Sequence, residues 1–284
     1  MSLIEAAVEK AKKKLAETGI DPTLTVPKQE EARRPKPRRA EPDAAEVAVR
    51  AARARVLPVA SVDADTMERS GVLLQVNDAS AHRAYRVLRT RVQQRMEAQG
   101  WHSLAVTAAG VGDGKTLTSI NLAISLARDV NTWVYLVDLD LQRPRVASYF
   151  GMQFGKGLSD YLAGGARFEE ILYSPGVERL GIIPNAQRVE GSSDFLGSPR
   201  MRELCESLAA ETPRPIVIYD MPPLLMGDDV LKFYPNVDST LFVVSEGKTS
   251  RESVQRASET LREMNLIGTV VNRSAEREEK GYYY

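Results

Sequence analysis

Hydrophobic and polar residues alternate along this chain in two distinct textures. From about residue 81 onward, short apolar runs at 104–108, 134–137, 216–219, 241–244 and 269–271 are nearly continuous and rich in β-branched or aromatic side chains. Strands of that kind are buried on both faces, as in a parallel sheet covered by helices. Between and before them, helical spacing predicts helices near 82–98, 117–129, 199–210 and 250–264. Ser198 and Pro199 supply a cap and a first-turn proline for the third. This alternation predicts an open α/β fold, a mostly parallel sheet with helices on both faces and ligands at the carboxyl ends of the strands.

The first 80 residues read differently. Ser2 and Glu5 are spaced as a capping box, and Ile4, Val8, Ala11 and Leu15 follow at helical spacing until Gly19. This predicts an amphipathic helix over 1–19. Residues 20–80 are expected to form a Pro/Arg-rich, largely disordered linker. Pro22, Pro27, Pro35, Pro37, Pro42 and Pro58 interrupt any helix, and Arg33, Arg34, Lys36, Arg38 and Arg39 cluster there. The α/β domain is therefore expected over 81–279, with a tail at 280–284.

Composition narrows the partners. Lys+Arg and Asp+Glu are both 38, and the excess of positive charge is confined to residues 1–60, with 13 Lys/Arg against 9 Asp/Glu. No specific nucleic-acid partner is expected. The one cysteine, Cys205, leaves no internal disulfide and fits a reducing compartment. No apolar run reaches the length of a membrane span and no secretory leader is evident, so a cytoplasmic location is expected, with membrane contact only through a partner.

The chemistry is carried by residues 109–116, Ala-Gly-Val-Gly-Asp-Gly-Lys-Thr, between a strand and a helix. Glycines let successive backbone N–H groups share one concavity, and the helix N-terminus adds positive partial charge. Gly110, Val111, Gly112, Asp113, Gly114, Lys115, Thr116 and Leu117 are the expected phosphate-binding residues. Lys115 can reach the outer phosphates and the Thr116 hydroxyl can ligate magnesium. Asp138 and Asp140 end the second strand at spacing i, i+2, and Asp220 ends another. Thr116, Asp138, Asp140 and Asp220 together offer the oxygen ligands that magnesium prefers. Either Asp138 or Asp140 can take a proton from an incoming hydroxyl. The fold is thus P-loop NTPase-like, with ATP and Mg2+ as expected ligands.

Read together, these motifs resemble the bacterial tyrosine kinases (BY-kinases) of exopolysaccharide biosynthesis. The likeness rests on the loop at 109–116, on Val137-Asp138-Leu139-Asp140 with Arg143-Pro144, on residues 216–223 ending Asp-x-Pro-Pro, and on the segments 157–162 and 198–201. It covers about residues 80–284. The start of the chain looks like the stand-alone cytoplasmic type, similar to exosortase-associated tyrosine autokinases. The resemblance implies self-association and a separate membrane chain-length (co-polymerase) protein as partner, with recruitment to the inner face of the plasma membrane. It also implies autophosphorylation at Tyr282, Tyr283 and Tyr284, and a place for Asn272 near the nucleotide base. Three positions depart from the family pattern: Gln142 stands where an arginine is usual, Arg83 where a glutamate is usual in the subunit-contact helix with Arg86 and Arg89, and Glu246 where a basic residue is common.

Two other readings compete. A MinD/ParA-like positioning ATPase would carry a lysine at the second loop position, which here is Gly110, and would lack a tyrosine tail. A non-catalytic nucleotide-gated scaffold would dispense with Asp140 and the tyrosines.

Overall fold

A computed structural model describes residues 57–130, 132–185, 187–210 and 215–274. The expected helix at 1–19, the Arg cluster at 33–39 and Tyr282, Tyr283 and Tyr284 lie outside the described residues.

Among the described residues six strands form one sheet: β1 (Ser103–Ala108), β2 (Trp133–Asp138), β3 (Leu180–Ile183), β4 (Pro215–Asp220), β5 (Ser239–Ser245) and β6 (Leu266–Asn272). Their order is β3-β2-β4-β1-β5-β6, and every pair is parallel. Among the described residues nine α-helices surround it: α1 (Ala64–Ser70), α2 (Ala79–Gln99), α3 (Lys115–Ala127), α4 (Val146–Phe150), α5 (Leu158–Leu162), α6 (Ser192–Leu196), α7 (Pro199–Ala210), α8 (Asp229–Phe233) and α9 (Arg251–Leu261).

Side chains of successive strand residues point to opposite faces, and here both faces are buried. Leu104, Val106, Val134, Leu136, Ile216 and Ile218 pack with Met67, Val92, Ile120, Ile124 and Phe150 on one side. Ala105, Tyr135, Val137, Val217 and Tyr219 pack with Leu158, Leu196, Leu204, Phe233 and Leu261 on the other. Each fully buried Leu or Ile contributes about 1.5–3 kcal/mol, so the two-sided core explains why the strands read as unbroken apolar runs. Ser198 caps α7 through its hydroxyl, which accepts from Met201 N at 3.2 Å.

Two features depart from the sequence reading. The first is β3, hidden by Gly181 in its middle. A Cβ there would come within 2.8 Å of the Tyr135 ring and 3.0 Å of Leu172. The glycine makes room for the neighbouring strand's aromatic side chain.

The second concerns residues 57–80, expected in the linker but in fact part of the folded unit. Ala60 N donates to Ser174 O at 2.9 Å, Ser174 N to Pro58 O at 2.9 Å and Asp63 N to Phe150 O at 2.9 Å. Asp63 caps α1 and Gly71 closes it in the left-handed region. Met67, Val72 and Leu73 are buried. Asn121, on α3 and itself buried, holds this arm down. Its Oδ1 accepts from Leu73 N at 2.9 Å and its Nδ2 donates to Gly71 O at 3.0 Å. The apolar positions of 57–73, such as Leu57, Val59, Ala60, Val62, Met67 and Val72, keep no single helical or strand period. The polar clasp from the distant helix holds the end of the arm, where Val72 and Leu73 are buried.

Candidate active site

The carboxyl ends of β1, β2 and β4 meet beside the loop that joins β1 to α3. Register explains the convergence: Asp138 and Asp220 are direct partners on β2 and β4, and Val106 of β1 pairs with Asp220. Gly112 and Gly114 take positive φ (79° and 96°), which only glycine adopts without strain. Gly114 is the N-cap of α3 and leaves the helix start without a side-chain cap. The loop is tied internally by Gly110 N, which donates to the buried Asp113 Oδ2 at 3.0 Å.

Lys115 turns inward. Its Nζ lies 2.9 Å from Asp140 Oδ2 and 3.5 Å from Asp220 Oδ2, with all three side chains nearly inaccessible. Thr116 Oγ1 donates to Asp220 Oδ2 at 2.7 Å, and Ser119 Oγ to Asp220 Oδ1 at 3.0 Å. Asp138 is held by backbone instead. Its Oδ2 accepts from Arg145 N and Val146 N, both at 2.9 Å, and its Oδ1 from Asp140 N at 3.3 Å. Asp138 thereby organises the turn into α4, while Asp140 faces the lysine. Asp140 Oδ1 also accepts from Arg143 N at 3.1 Å.

Three carboxylates and one ammonium share this interior. Burial, then the Asp220 charge, pushes the Asp138 carboxyl well above the usual range. Burial also raises Asp220, against the lowering pull of Lys115 and Thr116. For Lys115, burial favours the neutral amine, but the charges of Asp220 and Asp140 outweigh it and keep the ammonium.

This donor set suits a hard cation. Thr116 spends its proton on Asp220 and accepts from Lys115 Nζ at 3.3 Å, which leaves one oxygen lone pair for a metal, and Asp140 and Asp220 offer carboxylate oxygens about the same ammonium. Asp138 is partly committed to the backbone. Among the described residues, no group of three or more His, Cys, Asp or Glu side chains forms a metal cage by itself. Magnesium typically takes one or two carboxylates and completes its shell with phosphate oxygens and water.

The other expected residues divide. Asn272, at the end of β6, reaches the loop, its Nδ2 donating to Asp113 O at 3.0 Å. Val111 stays half exposed at the loop's rim. Leu117 turns away and packs against the core on the α3 side, so its side chain takes no part in the loop. Gln142 bonds Ser192 Oγ at 3.1 Å. Arg83 lines a shallow groove of about 350 Å³ on α2 with Arg86, Val87, Thr90, Arg91 and Gln94. Arg89 points inward, donating to Ser125 O at 3.1 Å. Two residues at the site were missed. Ser119 lies one helical turn after Lys115 and so shares its face. Lys248, in the turn after β5, donates to Val111 O at 2.9 Å. The Glu-Gly-Lys-Thr turn at a strand's carboxyl end was the available signal for it.

Comparison with known proteins defines the class. Residues 104–283 match the family described as the CobQ/CobB/MinD/ParA nucleotide binding domain. The chain belongs to this nucleotide-binding family and is similar within it to bacterial tyrosine-protein kinases. It is 28% identical over 222 residues to the tyrosine-protein kinase YwqD of Bacillus subtilis, covering 76% of this chain and 92% of that one. It is 30% identical over 207 residues to the tyrosine-protein kinase etk of Escherichia coli, covering 72% of this chain but only 28% of that longer protein. The kinase domain of Escherichia coli ETK superposes with a TM-score of 0.62 at 28% identity, over 71% of this chain and 80% of that domain. Among the described residues no helix is long and apolar enough to cross a membrane.

Proposed function

We propose that the chain is an ATP-dependent protein-tyrosine autokinase that regulates exopolysaccharide polymerisation or export. The observation that carries this reading is the buried junction of Lys115 and Thr116 with Asp140 and Asp220 beneath a glycine loop. The likeness to YwqD over nearly that protein's whole length supports a kinase within the family.

In this reading the loop amides and Lys115 bind and orient the triphosphate. Thr116, Asp138, Asp140 and Asp220 would hold magnesium, which would neutralise phosphate charge. A tyrosine hydroxyl from residues 282–284 of a neighbouring copy attacks the γ-phosphorus. The bond to the β-phosphate oxygen breaks, ADP leaves, and the phenolic proton passes to a carboxylate. Asp138 and Asp140, at the end of β2, are the two carboxylates that can take it, Asp138 held by the Arg145 and Val146 amides and Asp140 beside Lys115. By resemblance Asn272 stands near the nucleotide base, and its amide holds the loop at Asp113 O. The activating partner is a membrane co-polymerase protein that recruits the chain to the inner face of the plasma membrane, where it self-associates.

Incubating the full chain with magnesium and ATP, with and without the partner's cytoplasmic segment, and probing for phosphotyrosine tests this. A signal lost in Lys115→Met and in the triple tail variant Tyr282→Phe/Tyr283→Phe/Tyr284→Phe is expected. ATP hydrolysis with no phosphotyrosine would overturn it in favour of a positioning ATPase, and tight binding with neither reaction in favour of a scaffold.

A further inference from the structure

The outer half of the loop is gripped from outside by two side chains that belong to other strands. Lys248 donates to Val111 O at 2.9 Å, and Asn272 donates to Asp113 O at 3.0 Å. The two carbonyls are alternate ones, and each precedes a glycine. In a trans peptide the C=O and the following N–H point in opposite directions. Drawing the carbonyls of 111 and 113 toward Lys248 and Asn272 therefore turns the N–H groups of Gly112 and Gly114 toward the opposite face. Among the described residues neither N–H has an acceptor. Two like-directed amides without acceptors, one of them at the N-terminus of α3, form the kind of concavity that takes an anion.

Lys248 is not a casual surface lysine. Its turn is braced at both ends. Lys248 N and Thr249 N donate to Ser245 O at 3.2 and 2.9 Å, and Thr249 Oγ1 accepts from Ser245 N at 2.8 Å. Gly247 takes the left-handed conformation (φ 72°) that lets the turn close. Ser250 then caps α9, accepting from Ser253 N at 3.1 Å. On the neighbouring strand Asn272 pairs in register with Ser245, and Glu246 N donates to Asn272 O at 2.9 Å. The two donors thus sit on one rigid corner at the ends of β5 and β6. Both side chains also occupy the space that a Cβ at Gly112 or Gly114 would need.

We propose that Lys248 and Asn272 act together as positioning residues, a two-point clamp that sets the amide orientation of the loop for polyphosphate. The inference rests on the reading of the loop as a nucleotide site, but it concerns binding and not transfer. The probes are ADP and inorganic tripolyphosphate, titrated calorimetrically into the full chain with magnesium. Lys248→Met and Asn272→Ala are each expected to weaken both probes by about 5–10-fold, the worth of one lost hydrogen bond to an oriented backbone group. Lys248→Arg, which keeps a donor of similar reach, is expected to bind within about twofold of the wild type. The Lys248→Met deficit should hold as salt rises from about 50 to 500 mM, because a short hydrogen bond to a carbonyl is not a screened charge contact.

Unchanged affinity in both variants would overturn the clamp. So would a deficit that vanishes at high salt, which marks direct charge contact with phosphate. A loss for ADP with none for tripolyphosphate would also overturn it, marking contact with the nucleoside. A wild-type chain that binds both probes yet makes no phosphotyrosine defeats the kinase reading and leaves the clamp standing. One that binds neither defeats both.

Discussion

Replacing Lys115 by Met is expected to unbalance the fold as well as block chemistry. The ammonium is the ion-pair partner of Asp140 and Asp220, at 2.9 and 3.5 Å, in a nearly inaccessible site. Removing one member of a buried ion pair costs about 3–5 kcal/mol, because the remaining charge is left without compensation. Part of that is offset here. Asp220 keeps the Thr116 and Ser119 hydroxyls, and Asp140 keeps the Arg143 N–H. The lower end of the range, about 3 kcal/mol, is therefore expected at neutral pH. For a domain of this size that lowers Tm by about 6–12 °C.

The deficit should depend on pH in a defined direction. Asp138 and Asp220 have folded pKa values raised above the ordinary 3.8. A raised carboxyl favours folding most when both states are protonated, and that advantage is lost as pH rises through the folded value. Losing Lys115 raises these carboxyls further, so the variant suffers most near pH 7.5 and recovers relative to the wild type toward pH 5. Urea unfolding of both proteins at the two pH values measures this. An equal deficit at both, or none at either, would refute the electrostatic account. Lys115→Arg, which retains the charge, should recover most of the stability.

Other consequences are narrower. Asn121→Ala strands the Leu73 N–H and the Gly71 carbonyl, and about 3 kcal/mol of stability should go with them; hydrogen exchange should quicken first at residues 71–75. Gly114→Ala combines a left-handed φ of 96° with a Cβ that runs into the Asn272 amide, so it should lower both Tm and ADP affinity, read by thermal melting and calorimetry. Burial pushes the Cys205 thiol up to about 11, against a lowering hydrogen bond with Tyr219. Iodoacetamide at pH 8 should accordingly label the native protein about a hundredfold more slowly than the urea-unfolded chain.

What could be read in advance follows from how local each signal is. The loop at 109–116 and the strand-end Asp138, Asp140 and Asp220 are contiguous or fixed by strand register, so pattern alone brings them to one edge of the sheet. The different tasks of Asp138 and Asp140 were not readable, because the amides of Arg145 and Val146 reach Asp138 only once the turn into α4 has formed. β3 was hidden by Gly181, which belongs to the packing of Tyr135 and not to its own strand. The arm at 57–80 was hidden because Asn121 looks like any polar residue on a helix until its partners, some 50 residues earlier, are known.

Lys248 belongs to the same class of hidden residue and shows why a phosphate loop is not a self-contained motif. Its glycines supply freedom, and freedom alone does not aim an N–H. Aim comes from Lys248, Asn272 and Asp113, which engage the backbone at Val111, Asp113 and Gly110 from three different positions. The inner half is set by Asp220, which fixes Thr116 and Ser119 and, with Asp140, draws Lys115 inward. A loop held in this way meets its ligand with little reorganisation left to perform, which is how fixed dipoles become effective at stabilising charge. The same rigidity concentrates cost in one place: left-handed glycines and an excess of buried carboxylates stand together at the carboxyl edge, and the doubly covered sheet beneath supplies the stability that holds them.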